Sequence, residues 1–194
     1  MKSKRQNLRE KRQRQQSINR IIWAGLGAVL VALLGYAVWA ATRPATGEEI
    51  AIMSDTGHVQ EGSDPGPYNS EPPTSGRHYA SEYDAGFYEE TDSEAQAQFP
   101  EGYLVHNLEH GYVIFWYNCD LLDAAGCTNL KSQIKTVLDQ ENNLKVIAFP
   151  RKSIEVPVVM TSWGRMMSFE RFDPGLARDF VRSNRNKAPE PNAP

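Results

Sequence analysis

All four histidines of this chain lie between positions 58 and 110, at His58, His78, His106 and His110. Neutral imidazoles at several loop or turn positions, with a carboxylate beside them, make a nitrogen/oxygen ligand set for a transition-metal ion. Zinc, copper(II), nickel and iron(II) suit such donors, with zinc or copper foremost. Met160, Met166 and Met167 could add soft sulfur, although methionines on an apolar strand more often serve packing. If three histidines bind and one coordination position stays open, hydrolysis or ligand capture becomes possible with Glu109 as base. If all four bind, the ion is structural and pins the chain between them. The competing reading is plainer: each ring braces its loop by hydrogen bonds to backbone carbonyls, and His106 also to Glu109.

His106, Glu109 and His110 form H-x-x-E-H, the pattern of the inverted zinc peptidases. That chemistry needs a helix. The flanks YLV and GYVIFWY are β-branched and aromatic, so the expectation here is a strand-to-strand connection. If residues 107–109 form the loop, His106 and His110 become opposed, with Cβ atoms about 5 Å apart. A positive φ at Gly111 would shift that register. Ser75-Gly76 near a histidine invites a serine-hydrolase reading, but no G-x-S-x-G elbow is present. Tyr79, Tyr83, Phe87, Tyr88, Trp116 and Trp163 read as a satellite core under the loop before they read as a pocket. Arg165 reads equally as an anion grip or a surface ion pair. Cys119 and Cys127 form a close pair without C-x-x-C spacing or a surrounding βαβ signal, so a structural disulfide is expected.

The elements that must position these groups follow from periodicity. Residues 57–86 are rich in Gly, Pro, Ser, Asn and Tyr and show no period, which predicts a long loop held by something. Ile50–Ser54 is a brief strand or turn, and Ser93–Gln98 is weakly helical. Strands are expected at Tyr103–Val105, Tyr112–Tyr117, Lys145–Phe149 and Val156–Trp163, and Gly164–Phe169 extends or turns back as a further strand. Leu130, Ile134, Val137 and Leu138 predict a helix over Thr128–Glu141 with Thr128 as its cap. Asp173-Pro174 starts a second helix. The fold expected is α+β: an N-terminal transmembrane helix, then one extracytoplasmic domain with a mostly antiparallel sheet and two helices.

Ile21–Ala41 contains no charged residue and is long enough to cross a hydrocarbon core, for which roughly 20 residues suffice. A cleaved signal peptide is the alternative, but the apolar run and its basic flank are both long for one. Before this run eight Lys/Arg face one Glu; after Arg43 twelve Lys/Arg face twenty-three Asp/Glu. That asymmetry keeps the N-terminus cytoplasmic and translocates the acidic bulk to the extracytoplasmic side of the cell membrane. It also argues against a nucleic-acid partner, because the acidic domain repels phosphate. The partners expected are membrane lipid along 21–41 and a membrane protein. The organisation is therefore a basic tail over 1–20, a membrane helix over 21–41, a linker over 42–49, a domain over 50–187 and a proline-rich tail over 188–194.

GHV (57–59), YNSEPPTSGRH (68–78), VHNLEHGYV (105–113), WGR (163–165) and APEP (188–191) together resemble the DUF3105 family of membrane-anchored bacterial proteins. The resemblance spans nearly the whole translocated part. It implies a shared fold and makes His58, His78, His106, Glu109 and His110 the family-type motif positions. It implies no activity, and it does not extend to the cysteine pair or the arginine-rich tail. Three functional expectations stand: metal handling or a metal-supported fold, a metal-dependent hydrolase or oxidoreductase using Glu109, and a metal-free interaction module of a membrane complex.

Overall fold

The computed structural model describes residues 4–42 and 45–193. Lys2 of the basic tail, residues 43 and 44 of the linker and Pro194 lie outside these. The chain forms two compact units, divided after Pro44.

The first unit is one helix, α1 (Lys4–Thr42), which continues through the basic segment as well as the apolar run. Its stretch Ile18–Tyr36 is long and apolar enough to cross a membrane, and none of it is buried within the protein. That window begins three residues before the segment read from the sequence and stops short of Ala41.

The second unit is a mixed α+β domain. A six-stranded sheet has the order β1-β6-β5-β3-β4-β2, from β1 (Glu48–Glu49), β2 (Gly86–Phe87), β3 (Val113–Tyr117), β4 (Val146–Pro150), β5 (Val158–Ser162) and β6 (Arg165–Phe169). Three helices pack on it: α2 (Glu101–Glu109), α3 (Ala124–Gln140) and α4 (Pro174–Asn184). The expectation of a mostly antiparallel sheet needs correcting. β3 pairs antiparallel with β5, β5 with β6 and β6 with β1, but β3–β4 and β4–β2 are parallel. The cause is α3, which returns the chain to the starting end before β4 begins, as a parallel pair requires. The cysteine pair therefore does sit in a βαβ unit. Cys119 lies in a single 3₁₀ turn after β3, Cys127 lies in α3, and their sulfurs are at disulfide distance.

β3 shows how the sheet divides the core. Val113, Phe115 and Tyr117 face α3 and α4; Ile114 and Trp116 face Leu104, Val105 and Leu108 of α2. This is the period-two alternation of a strand buried on both faces. α3 begins four residues before the expected start: Asp123, not Thr128, is the cap, accepting from the Gly126 amide at 2.7 Å. Asp173 caps α4 as expected, with Pro174 in its first turn. Gly164 adopts φ +65°, a left-handed conformation that suits glycine, and turns β5 back into β6.

The second correction is α2. Tyr103–Val105 was expected as a strand and H-N-L-E-H as a hairpin connection; both lie on this helix or its cap. Leu104, Val105 and Leu108 are fully buried at helical spacing and supply the apolar stripe. Pro100 opens the helix, where it loses no hydrogen bond. Gly111, at φ +84°, lets the chain leave it for β3.

Candidate metal centre

The long segment 57–86 carries almost no regular structure, yet it is pinned throughout. His58 and His78 form an isolated parallel bridge, with Val59 N–H donating to the His78 carbonyl at 2.7 Å. Thr74 and Ser75 are fully buried. The Thr74 carbonyl accepts from Gly164 N–H, and the Ser75 hydroxyl accepts from Met53 N–H. Ser75 is thus engaged with backbone, and nothing favours a nucleophilic role for it.

Three of the four histidines meet. The rings of His58, His78 and His106 lie with centroids 4.8, 5.2 and 5.2 Å apart. Each offers a nitrogen within 4.8 Å of those of the other two. They come from three separate places: the loop start, the loop end and the middle of α2. His110 does not join this trio. It caps α2, and its ring stands edge-on to His106 at 4.3 Å. There it forms an adjoining group with His106 and Glu82, a residue sequence reasoning missed. Glu82 carries no local signal, because its place is set by the loop's path.

Hydrogen bonds fix which nitrogens face inward. A carbonyl only accepts, so His78 Nδ1 donates to Gly76 O (2.9 Å) and His106 Nδ1 donates to Tyr79 O (2.5 Å). Both rings then carry their lone pair on Nε2. Ligating histidines are typically oriented in this way, with the remote N–H held by a carbonyl or carboxylate. His110 Nδ1 lies 2.8 Å from Glu82 Oε2.

The electrostatics at His78 are in conflict. The ring is fully buried, and burial, with the His106 and His58 rings beside it, pushes its pKa below the usual histidine value. The Gly76 bond and Glu109 act in the opposite direction and do not overcome this. Nδ1 donates to Gly76 O, and Nε2 lies 3.0 Å from Glu109 Oε2, a distance that a hydrogen bond spans. In a tetrahedral site with ligand bonds of about 2.0–2.1 Å, donors sit about 3.3 Å apart, so a small opening of this contact would let a metal ion take the place of the shared proton.

The supporting shell is specific. Gly102 lets the Tyr79 ring lie directly against α2, and Tyr79 N–H donates to Gly102 O at 2.9 Å. This aims the Tyr79 carbonyl at His106. Tyr83 and Tyr88 pack with Tyr103 and Phe149, so these rings are core under the loop rather than a pocket lining. Arg165 pairs with Glu49. Met160 and Met167 pack on the α3/α4 face and Met166 in the α2-side core.

The proline-rich tail has no regular structure, but it is tied down. Glu190 N–H donates to Glu109 O, and Lys145 Nζ donates to the carbonyls of His110, Pro191 and Ala193. The separated sequence blocks therefore touch one another: GHV bonds to RH, the PPTSG turn to WGR, H-N-L-E-H to His78 and to the tail.

No curated protein and no solved structure matches the chain. The family model described as "Protein of unknown function (DUF3105)" matches residues 58–194, which begins at the first histidine of the cluster, inside the GHV block, and takes in all the later blocks. The chain belongs to the DUF3105 family.

Proposed function

We propose that the second unit binds one transition-metal ion at His58, His78 and His106, with the Glu109 carboxylate beside them and His110 adjoining through His106. The ion pins the 57–86 loop to α2, for metal handling or fold support. The observation that carries this reading is the meeting of three imidazoles from separate parts of the chain, each offering a nitrogen within 4.8 Å of the other two, with Glu109 Oε2 3.0 Å from one of them. Three imidazoles and a carboxylate suit zinc first and copper(II) second; no methionine sulfur is needed. α1 holds the unit at a membrane through lipid contact along 21–41. Its basic flank keeps the N-terminus cytoplasmic, and the Cys119–Cys127 bridge fits an oxidising extracytoplasmic compartment.

The test uses the full chain in detergent, purified without an affinity tag or chelator. One zinc or copper per chain is expected. Stripping the ion should lower the melting temperature, and re-addition at a hundredfold excess over Kd should restore about 2.7 kcal/mol. His78→Ala should abolish both effects. Absence of stoichiometric metal, with no thermal response to zinc or copper, refutes the reading and leaves the metal-free docking module.

One observation favours an enzyme as second reading. H-x-x-E-H lies on a helix, so His106, Glu109 and His110 share a face as metal-assisted hydrolysis needs. Glu109 would be the base. An ion with a bound, exchangeable water supports this reading; a closed four-ligand shell supports the structural one.

A further inference from the structure

Resting on the metal-binding reading above, we infer that the histidine cluster contains two overlapping ion stations that exclude each other because they share His106. His58, His78 and His106 form the first station; Glu82, His106 and His110 form the second. In each set the donor atoms lie within 4.8 Å of one another. The shared ligand decides the stoichiometry. His106 Nδ1 is held by the Tyr79 carbonyl, which leaves Nε2 as its one lone pair. One lone pair binds one ion, so filling either station empties the other.

The two stations differ in chemistry. The first offers three imidazoles with the Glu109 carboxylate against one of them. The second offers a carboxylate with two imidazoles, and Glu190 Oε2 of the tail stands 3.7 Å from His110 Nε2. Carboxylate donors shift preference toward harder divalent ions. The tail backbone is fixed there by the Glu190–Glu109 bond and by Lys145, which keeps Glu190 beside the far nitrogen of His110. Both ring nitrogens of His110 thus face carboxylates, Glu82 on one side and Glu190 on the other.

They also differ in which ligands face solvent. His78, His106 and His110 are buried, whereas His58 is exposed. Glu82 and Glu190 are 27% and 62% exposed at their side chains. An ion enters the first station past His58 and the second past Glu82 and Glu190. Moving between them, it keeps His106 and exchanges its other ligands.

The test titrates the metal-stripped full chain in detergent with Co²⁺, whose visible absorption changes with its donor set. Wild type should bind one Co²⁺ per chain. His58→Ala should still bind one, at least about tenfold more weakly, with an altered spectrum. Adding Glu82→Gln to it should remove that residual binding. Circular dichroism and the melting temperature of the metal-stripped Glu82→Gln chain, compared with metal-stripped wild type, show that this substitution leaves the fold intact. Two ions per wild-type chain overturn the exclusion; no binding by His58→Ala, or unchanged residual binding in the double variant, overturns the second station; in each case the first stands. No Co²⁺ bound by wild type overturns the metal-binding reading with it.

Discussion

Gly102→Ala separates the claim that α2 positions the histidines from the claim that α2 is merely a helix. By helix propensity alone the substitution should stabilise, by about 0.8–1.0 kcal/mol. The surroundings predict the reverse. A Cβ at Gly102 would meet three ring carbons of Tyr79 well inside van der Waals contact. That ring cannot swing aside. Tyr79 is 1% exposed, meets the Tyr103 ring edge-to-face with centroids 4.8 Å apart, donates its hydroxyl to Ser63 O at 2.7 Å and its N–H to Gly102 O. Overpacking of this kind costs about 1–3 kcal/mol, so in place of a gain the net should be a loss of up to about 2 kcal/mol. Because the Tyr79 carbonyl orients His106, metal affinity should fall about 10–100-fold as well. Urea denaturation of the metal-stripped chain measures the first effect, and zinc titration against a competing chelator measures the second. Repeating Gly102→Ala on a Tyr79→Ala background should convert the loss to a gain, since the colliding ring is gone. A Gly102→Ala chain as stable as wild type, binding zinc equally well, would refute the close approach and the orienting role together.

Other consequences are open to the same methods. Replacing Cys119 and Cys127 by serine releases a short cross-link closing the turn into α3 and should cost about 2–3 kcal/mol in chemical denaturation, with metal stoichiometry unchanged because the pair lies away from the histidines. Arg151 ties Glu71 of the long loop to Glu101 at the start of α2 and lies over the Trp116 ring. Arg151→Met should destabilise by about 1–2 kcal/mol, below the cost of breaking a fully buried pair because Glu71 is half exposed. Burial would raise the Glu71 pKa, but bonds from Arg151 and Ser153 outweigh it and bring the pKa below 4.5. The stability this supplies is present above the unfolded carboxylate value and is lost as pH falls through the lowered folded value. An acid titration of stability should therefore be flatter below pH 4.5 in Glu71→Gln than in wild type. Removing residues 188–193 takes two carbonyls from Lys145 and frees the end of α2; hydrogen exchange at Glu109–Gly111 should rise, and an unchanged pattern would exclude the strap.

The strands were readable because VIFWY, KVIAF and VPVVMTSW carry β-branched and aromatic residues between Gly and Pro stops. α4 was readable from Asp173-Pro174. α2 was not, since YLV followed by a histidine has strand-like composition at short range. The helical signal was present in spacing: Leu104, Val105 and Leu108 repeat at i, i+1 and i+4, and His106, Glu109 and His110 follow the same turn. Composition within three residues outweighed a period that needs five or more to show. The parallel pairs were missed for a related reason: α3 was recognised, but its role as the crossover between β3 and β4 depends on sheet order, which local periodicity does not carry.

The candidate site divides along the same line. The histidines were visible as a cluster in sequence because all four fall within positions 58–110, and their types name the chemistry. The split between His58, His78 and His106 on one side and His110 with Glu82 on the other was not visible, since it follows from turning the motif from a hairpin into a helix. On a hairpin, His106 and His110 would stand opposed and equivalent. On α2 they are successive turns of one face: His106 reaches His58 and His78, because Tyr79 packed on Gly102 draws that part of the loop in beside it, while His110 meets the loop at Glu82. Glu109 then falls between them and meets His78. The absence of a side chain at position 102 is what lets the loop approach closely enough for His106 to share a centre with His58 and His78.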